Sequence, residues 1–238
     1  MTTNFYAPPS AIQNRRVVLP EEEARHVRSV LRGREGDEIV VVDGEGGWYR
    51  VEITHMAPNQ VVGRVLDERR DVHEPDVHVT VALGVLKKRS RLETFVEKAV
   101  ELGVGRIAPL ITTRTERDTI REDRLRNIMV AALKQCRRSR LPTLEPVQSV
   151  DHLLSEEPWD RALLCHGQDT APPLVSALDG LPSHDRLLLL VGPEGGFSND
   201  EVAEARASGC SVVSLGPRRL RAETAALAAL TGVMLCRT

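Results

Sequence analysis

The sequence predicts an α/β fold in which a mostly parallel sheet follows a smaller β-rich module. From about residue 77 onward, short apolar runs alternate with helical patterns, the order that produces parallel strands joined by helices. One of these runs, 187–191, is apolar at every position, which is typical of a parallel strand covered on both faces. The chain has 238 residues and is 41% apolar, so it can bury a core without cross-links.

The N-terminal module combines one predicted helix with several strands. Pro20 suits the first turn of a helix over 21–31. The apolar face of this helix would hold Ala24, Val27 and Leu31. Strands are predicted over 38–42, 48–53 and 60–66, with a turn signal, Asp43-Gly44, after the first.

A polar segment separates this module from the rest of the chain. Residues 67–76 are polar almost throughout and include Pro75, as in a linker. We therefore predict two domains, 1–72 and 73–238. The strands predicted in the second domain are 77–86, 107–111, 162–165, 187–191 and 211–215.

Helical patterns fill most of the intervals between these strands. Apolar stripes indicate helices over 92–100 and 125–136, and the second of these ends in basic residues. Ser198 and Glu201 fit a capping box at the start of a third helix. The last helix, 222–236, is apolar all round, so we expect it to be buried either in the core or in a subunit interface.

Composition and cysteine spacing limit the function classes. The net charge of −2 gives no whole-molecule argument for nucleic-acid binding, so any such argument must be local. The four cysteines, Cys136, Cys165, Cys210 and Cys236, form no CxxC pair, which favours buried thiols in a reducing cytoplasm and no metal site. Without a signal-peptide pattern or an apolar run of about 18 residues, the chain is expected to be cytoplasmic and not bound to a membrane.

Two glycine-bearing loops predict a ligand pocket. The sequences VGPEGGFS at 191–198 and LGPRRLRAET at 215–224 each follow a predicted strand and precede a predicted helix. Open α/β sheets bind ligands at the carboxyl ends of their strands, and glycines let a ligand approach the backbone. Arg221 and Glu223 could face this pocket, although Glu223 could equally cap the last helix. His166, after another predicted strand, is a further candidate for the pocket wall.

Two common phosphate-binding motifs are excluded. The sequence at 103–108 matches GxGxxA, but it follows a helix and enters a strand, the reverse of the order that a dinucleotide site requires. The chain contains no GxxxxGK[ST] loop. An ordinary Rossmann cofactor site and a P-loop are therefore unsupported.

Three local basic clusters indicate a surface for phosphates. They are 87–91, 134–140, and the trio Arg25, Arg28 and Arg32 on the first helix. Any one of them could be a solvated helix end, because cations are favoured at helix C-termini. Three clusters in a chain of net charge −2 favour a partitioned surface with one basic face.

At these residues the chain resembles the RsmE-type uracil-N3 methyltransferases of small-subunit ribosomal RNA, within the SPOUT superfamily. Besides the two loops, the resemblance covers 26–32, the Asp43-Gly44 turn, EKAVELGV at 97–104 and QCRRSRLP at 135–142. Departures from the family pattern occur at Lys134, where a glutamate is common, and at Gly167, where a proline is common.

The resemblance implies a PUA-like RNA-binding domain at 1–72 and a trefoil-knotted SPOUT methyltransferase domain at 73–238 that works as a homodimer. It also implies S-adenosyl-L-methionine as the cofactor and 16S ribosomal RNA, or the small ribosomal subunit, as the partner. The residues expected around the cofactor are Gly192, Gly196, Leu215, Gly216, Leu220, Arg221 and Thr224.

The implied reaction suggests roles for the charged residues. Nitrogen 3 of neutral uracil carries a proton, so Glu223 is predicted as the base and Arg221 as the group that stabilises the developing oxyanion. The target must be unpaired, because nitrogen 3 lies on the pairing edge. The residues expected to contact RNA phosphates are Arg28, Arg32, Arg89, Arg138 and Arg140. The alternatives are a related methyltransferase of transfer RNA and a noncatalytic RNA-binding protein.

Overall fold

The computed structural model describes residues 4–29, 31–155, 159–167, 171–180 and 186–236. The chain forms two compact units. The first comprises Met1–Glu74 with Val130–Leu141, and the second comprises Pro75–Met129 with Pro142–Thr238. Within the described ranges, no helix is both long enough and apolar enough to cross a membrane.

The first unit is built on a six-stranded sheet. Its strands are β1 (Asn4–Tyr6), β2 (Ile12–Gln13), β3 (Arg16–Val18), β4 (Glu38–Val42), β5 (Gly47–Ala57) and β6 (Gln60–Arg70). The order across the sheet is β1-β4-β5-β6-β3-β2, and every pairing except that of β1 with β4 is antiparallel. The predicted β-rich N-terminal module is confirmed.

The helix of this unit, α1 (Glu21–Ser29), is shorter than predicted. Its backbone leaves the helix where Arg32 adopts a left-handed φ of 52° and the amide of Gly33 donates to the carbonyl of Val27 at 3.1 Å. Leu31 is 44% exposed, so its predicted place on the buried face is wrong. The helix ends too early for the apolar spacing to continue to that residue.

The second unit is built on a seven-stranded parallel sheet. Its strands are β7 (His78–Gly84), β8 (Arg106–Ile111), β9 (Thr143–Leu144), β10 (Gln148–Ser149), β11 (Arg161–Cys165), β12 (Arg186–Val191) and β13 (Ser211–Val213). The order is β10-β8-β7-β12-β11-β13, and β9 also pairs with β8. The predicted α/β class and parallel sheet are confirmed, and the trefoil knot stays a prediction.

Five further helices lie in the described part of the chain. They are α2 (Arg89–Glu101), α3 (Glu122–Cys136), α4 (Val150–Leu154), α5 (Asn199–Ala207) and α6 (Ala222–Leu235). Two short 3-10 helices span Pro9–Ala11 and Leu174–Ala177. The predicted capping box of α5 is present, since Ser198 accepts from the amide of Glu201 and Glu201 accepts from the amide of Ser198.

Helix α6 packs against the sheet and against two other helical segments. It contacts α2, β7, β12 and the 3-10 helix Leu174–Ala177, and it buries Ala226, Ala229, Leu230 and Val233. Leu235, near its end, is 70% exposed. The helix is therefore part of the core of its unit, and it also has apolar side chains that its own chain does not cover.

The sheet register aligns three strand ends. Cys165 at the end of β11 lies opposite Val191 of β12 and Val213 of β13. The loops that follow these strands therefore leave the sheet at the same edge, where parallel α/β sheets place their ligands.

Candidate active site

Three loops enclose a pocket at the carboxyl ends of β11, β12 and β13. Its volume is about 890 Å³, which is within the usual range for small-molecule sites. The wall includes His166 and Gly167 after β11, residues 192–197 after β12, residues 214–222 after β13, Arg91 of α2 and Ala225 of α6. Both loops from which the pocket was predicted thus line one cavity.

The first loop depends on glycine at two positions. A Cβ atom on Gly192 would lie 2.8 Å from the carbonyl carbon of Gly196, closer than real Cβ contacts. Gly196 has a φ of 69°, a left-handed conformation, and its amide donates to the carbonyl of Pro193 at 2.9 Å. The loop therefore folds back on itself and keeps its backbone on the pocket wall.

The second loop brings charge to the pocket. Gly216 turns it with a φ of 98°, and its amide donates to Ser214 Oγ at 3.1 Å. Arg221 is exposed, lines the pocket and occupies the N-cap position of α6 without a side-chain capping bond. Its guanidinium is thus not required to hold the start of that helix.

Arg91 connects two acidic side chains beside the pocket. Its guanidinium lies 3.7 Å from Glu194 Oε1 and 3.5 Å from Glu223 Oε1. Glu223 is 9% exposed, and its Oε2 atom is buried without a hydrogen-bond partner among the described residues. A buried acceptor left unpaired costs about 1–3 kcal/mol, so this oxygen is an unusual feature of the region beside the pocket.

This role of Arg91 has only a weak signal in the sequence. It belongs to the basic cluster 87–91, which we interpreted as a phosphate-binding surface. Its two acidic partners lie 103 and 132 residues away in the chain, so no local pattern joins them.

Two titratable side chains at the end of β11 also line the pocket. Burial raises the pKa of the Cys165 thiol to about 12, so it stays protonated and is a poor nucleophile. Burial, with the charges of Arg114 and Arg206, lowers the pKa of His166. The imidazole is therefore neutral near pH 7. Across the described part of the chain, no three His, Cys, Asp or Glu residues are grouped so as to hold a metal ion.

The structure brings together most of the residues expected around the cofactor. Those on the pocket wall are Gly192, Gly196, Leu215, Gly216, Leu220 and Arg221. Thr224 is not among them and is exposed. Ala222 and Ala225, three residues apart on α6, face the pocket, so the position of Thr224 between them turns it to another side of the helix. Glu223 is likewise not on the wall and reaches it through Arg91.

The predicted RNA-contacting arginines differ in accessibility. Arg28, Arg32 and Arg89 are exposed. Arg28 also donates to the carbonyl of Pro58. Arg140 is half-exposed and pairs with Asp71 at 2.5 Å.

The expectation that Arg138 contacts RNA needs correction. It is 4% exposed, and its Nε and Nη2 atoms donate to Glu74 Oε2 at 3.0 and 2.7 Å. Glu74 Oε1 also accepts from the backbone amides of Ser139 and Arg140, both at 2.8 Å. Arg138 is therefore part of the packing of its unit and does not present its charge to solvent. No acidic residue lies close to Arg138 in the sequence. Its partner Glu74 is 64 residues away, so no local pattern indicates the pair.

Comparison with known proteins agrees with this geometry. Residues 73–234 match the family described as RNA methyltransferase domain, and residues 19–66 match the RNA methyltransferase PUA domain. A ribosomal RNA small subunit methyltransferase E from Synechocystis is 30% identical over 98% of this chain and 77% of its own length.

Two solved structures are similar over nearly the whole chain. The ribosomal RNA small subunit methyltransferase E of Neisseria gonorrhoeae bound to S-adenosyl methionine has a TM-score of 0.84 and 28% identity, covering 99% of this chain and 98% of the other. A putative methyltransferase from Legionella pneumophila with bound SAM has a TM-score of 0.85 and 28% identity at the same coverage. The chain therefore belongs to the ribosomal RNA small subunit methyltransferase E family.

Proposed function

We propose that this protein transfers a methyl group from S-adenosyl-L-methionine to nitrogen 3 of one uridine in the 16S ribosomal RNA of the small subunit. The observation that carries the proposal is the single pocket formed by two glycine-bearing loops at adjacent strand ends. Family membership and the S-adenosyl methionine bound to the Neisseria relative support it.

The pocket residues fit the cofactor. A volume of about 890 Å³ accommodates a ligand of this size, and the backbone at Gly192, Gly196 and Gly216 leaves room for close approach. Leu215 and Leu220 supply apolar surface on the same wall. The cofactor, when bound, supplies a methyl group activated on a sulfonium. The pocket would hold that methyl in line with the uracil nitrogen, and positioning of this kind supplies much of the rate enhancement.

Arg221 and Glu223 are proposed to handle charge on the uracil. Arg221 is exposed on the pocket wall, so its guanidinium can reach a carbonyl oxygen on which negative charge develops. Glu223 does not line the pocket, so it would have to turn its unpartnered Oε2 atom toward the uracil to accept the nitrogen 3 proton, while Arg91 holds Oε1. This arrangement gives Arg91 a positioning role that requires no contact with the substrate.

The N-terminal domain, 1–72, is proposed to bind RNA, and the domain 73–238 to catalyse the reaction. The match of residues 19–66 to a PUA domain of RNA methyltransferases supports this division. Arg28, Arg32 and Arg140 of the first unit would contact phosphates, together with Arg89 of the second. Phosphate contacts set the register of the RNA without reading its sequence.

We further propose a homodimer that acts in the cytoplasm on ribosomal RNA. Helix α6 supports the dimer, because it is apolar all round and yet leaves Leu235 and Ala228 exposed. Sedimentation of the purified chain at twice the monomer mass would be the expected result, and a monomer at all concentrations would contradict it.

Two measurements test the proposed function against its alternatives. Titration calorimetry should show S-adenosyl-L-methionine binding to the protein alone, and a lack of binding would favour a noncatalytic RNA-binding protein. Labelled cofactor should then transfer its methyl group to small ribosomal subunits that lack the modification. Transfer to transfer RNA instead would assign the enzyme to another branch of methyltransferases.

A further inference from the structure

Three arginines of the second unit lie at the edge of a small cavity at the start of α2, whose wall is otherwise mostly aliphatic. Arg89 is the first residue of this helix, and Arg117 and Arg121 lie in the segment between β8 and α3. The cavity has a volume of about 10 Å³, enough for one water-sized group. Glu93 is the one acidic residue on its wall.

The positive charge of this arginine cluster is not neutralised by neighbouring acids. Among the described residues, no ion pair involves Arg89, Arg117 or Arg121. Glu93 lies 3.4 Å from Arg124, and the nearby Glu116 pairs with Lys87 at 2.7 Å. The positive charge of Arg121, followed by burial and by the charge of Arg117, lowers the pKa of Arg89, and the charge of Glu93 only partly opposes this. The other two guanidiniums therefore repel that of Arg89.

Two further observations indicate that an anion belongs here. The Nε atom of Arg117 is buried and has no hydrogen-bond partner in the described chain. Helix α2 begins beside it with no side-chain capping bond and no acidic residue in its first turn. The first observation leaves a hydrogen-bond donor without an acceptor, and the second leaves positive potential at the start of the helix without a negative charge. A phosphate group would supply both an acceptor and a negative charge.

We propose that Arg89, Arg117 and Arg121 form a binding site for one backbone phosphate of the RNA. The phosphate would bind at the rim of the cavity, with one oxygen toward Arg117 and the outer oxygens toward the exposed Arg89 and Arg121. The identity of the anion as RNA phosphate rests on the proposed function. The site itself rests on the arginine cluster.

The position of the arginine cluster indicates which part of the RNA it would bind. Arg89 precedes the pocket-lining Arg91 by two residues, about 3 Å of helix rise, so the cluster and the pocket lie on two sides of the same helix start. A phosphate held here would belong to a nucleotide close to the target uridine. The cluster would then fix the backbone while the target base enters the pocket.

The test uses the full-length protein and a single-stranded RNA oligonucleotide, without cofactor, at a series of salt concentrations. Arg121→Gln, at an exposed position, should weaken binding several-fold and reduce the slope of log K against log salt by about 0.7, the value for one lost phosphate contact. Arg117→Gln should act in the same direction, and Arg121→Lys should keep the salt slope while losing part of the affinity. The matched control is Arg126→Gln, an equal charge change at an exposed position of α3 that does not line the cavity.

Each outcome decides the proposal. Equal losses for Arg121→Gln and Arg126→Gln would overturn it, because the effect would then be general electrostatics. If Arg121→Gln binds RNA like the parent but sediments at a different mass, the proposal is overturned. The arginines would then bind an acidic surface of a protein and not RNA. If the parent protein methylates no RNA and Arg121→Gln still lowers the slope, the proposed function fails and the phosphate site stands. If the parent methylates ribosomal RNA and Arg121→Gln binds RNA like the parent, the site fails alone.

Discussion

At the residue scale, the positive charge of Arg91 allows two acidic side chains, Glu194 and Glu223, to lie close together beside one pocket. Glu194 and Glu223 both lie within 3.7 Å of its guanidinium, which offsets their mutual repulsion. The second carboxylate oxygen of Glu223 has no hydrogen-bond partner among the described residues. The nearly buried carboxylate is consequently the most informative target for mutation.

Glu223→Gln should lower the single-turnover rate of methyl transfer by about 100-fold or more, the usual contribution of a general base. The amide preserves the shape of the side chain but cannot accept the proton. Rates measured at saturating cofactor, with the cofactor affinity measured separately by calorimetry, separate two explanations. An unchanged rate would remove Glu223 as the base. An unchanged rate with weakened cofactor binding would assign its free oxygen to the cofactor.

Gly192→Ala should weaken S-adenosyl-L-methionine binding about tenfold, equal to ~1.4 kcal/mol. The new methyl group would press on the backbone of Gly196 and displace the first loop. Gly167→Ala is the matched control, since Gly167 also lines the pocket but has open space around it. Equal affinities for the two variants in calorimetry would show that close backbone approach does not shape the site.

At the residue scale, the sequence predicted correctly those pocket residues whose place depends on the local backbone. Gly192 and Gly216 could be predicted to line a pocket, because loop position and glycine content are both visible in the chain. Arg91 and Arg138 could not be assigned correctly, since their acidic partners are distant in sequence. Side-chain charge alone does not distinguish a solvated arginine from a paired one.

At the scale of elements, the capping box of α5 fixes the end of the first pocket loop. Glu201 accepts hydrogen bonds from the amides of Ser198 and Thr113, both at 2.7 Å. Burial alone would raise the pKa of Glu201, but these hydrogen bonds outweigh it and lower the pKa below its ordinary value of 4.5. The carboxylate thus stabilises the folded protein above pH 4.5, and this contribution is lost as the pH falls through the folded-state pKa.

Glu201→Gln should therefore lower the thermal unfolding midpoint at pH 7, and the difference from the parent should narrow as the pH falls below about 4.5. Glu204→Gln, an exposed position on the same helix, is the control and should leave the midpoint nearly unchanged. Thermal scans from pH 7 to pH 3 check this prediction. A difference that stays constant over that range would show that the ionised carboxylate is not what stabilises the helix start.

Element types were predictable, but element ends were less so. The apolar run at 187–191 predicted β12 because its five residues are buried on both faces of the sheet. The end of α1 was missed because the left-handed turn at Arg32 uses no glycine or proline at that position. From its apolar sequence, α6 could be buried either in the core or in a subunit interface. The structure buries part of its surface in the core.

At the scale of the whole molecule, the first unit includes a segment that is distant in sequence. Val130–Leu141 packs with Met1–Glu74, and Glu74 joins them through Arg138 and two backbone amides. Lys134 and Glu23 form a second, largely buried pair at 2.5 Å. No periodic pattern predicts this arrangement, because it depends on pairs of charges that are 64 and 111 residues apart.

Arg138→Ala should destabilise the protein by about 3–5 kcal/mol, because Glu74 would remain buried without its cation. The salt dependence of RNA binding should stay that of the parent. Arg137→Ala, at the exposed neighbouring position, is the control for stability and should unfold at nearly the parent's denaturant midpoint. Full stability of Arg138→Ala together with a reduced salt slope would restore Arg138 as an RNA contact.

Methylation of nitrogen 3 of a uridine in small-subunit ribosomal RNA is the activity proposed for the pocket of the second unit. The most direct measurement is mass-spectrometric mapping of methylated nucleosides after small subunits lacking the modification are incubated with the protein and S-adenosyl-L-methionine. We expect N3-methyluridine at one position with the parent protein, and much less of it with Glu223→Gln. Methylation of another atom or another nucleoside, or no methylation of the subunit by the parent protein, would contradict it.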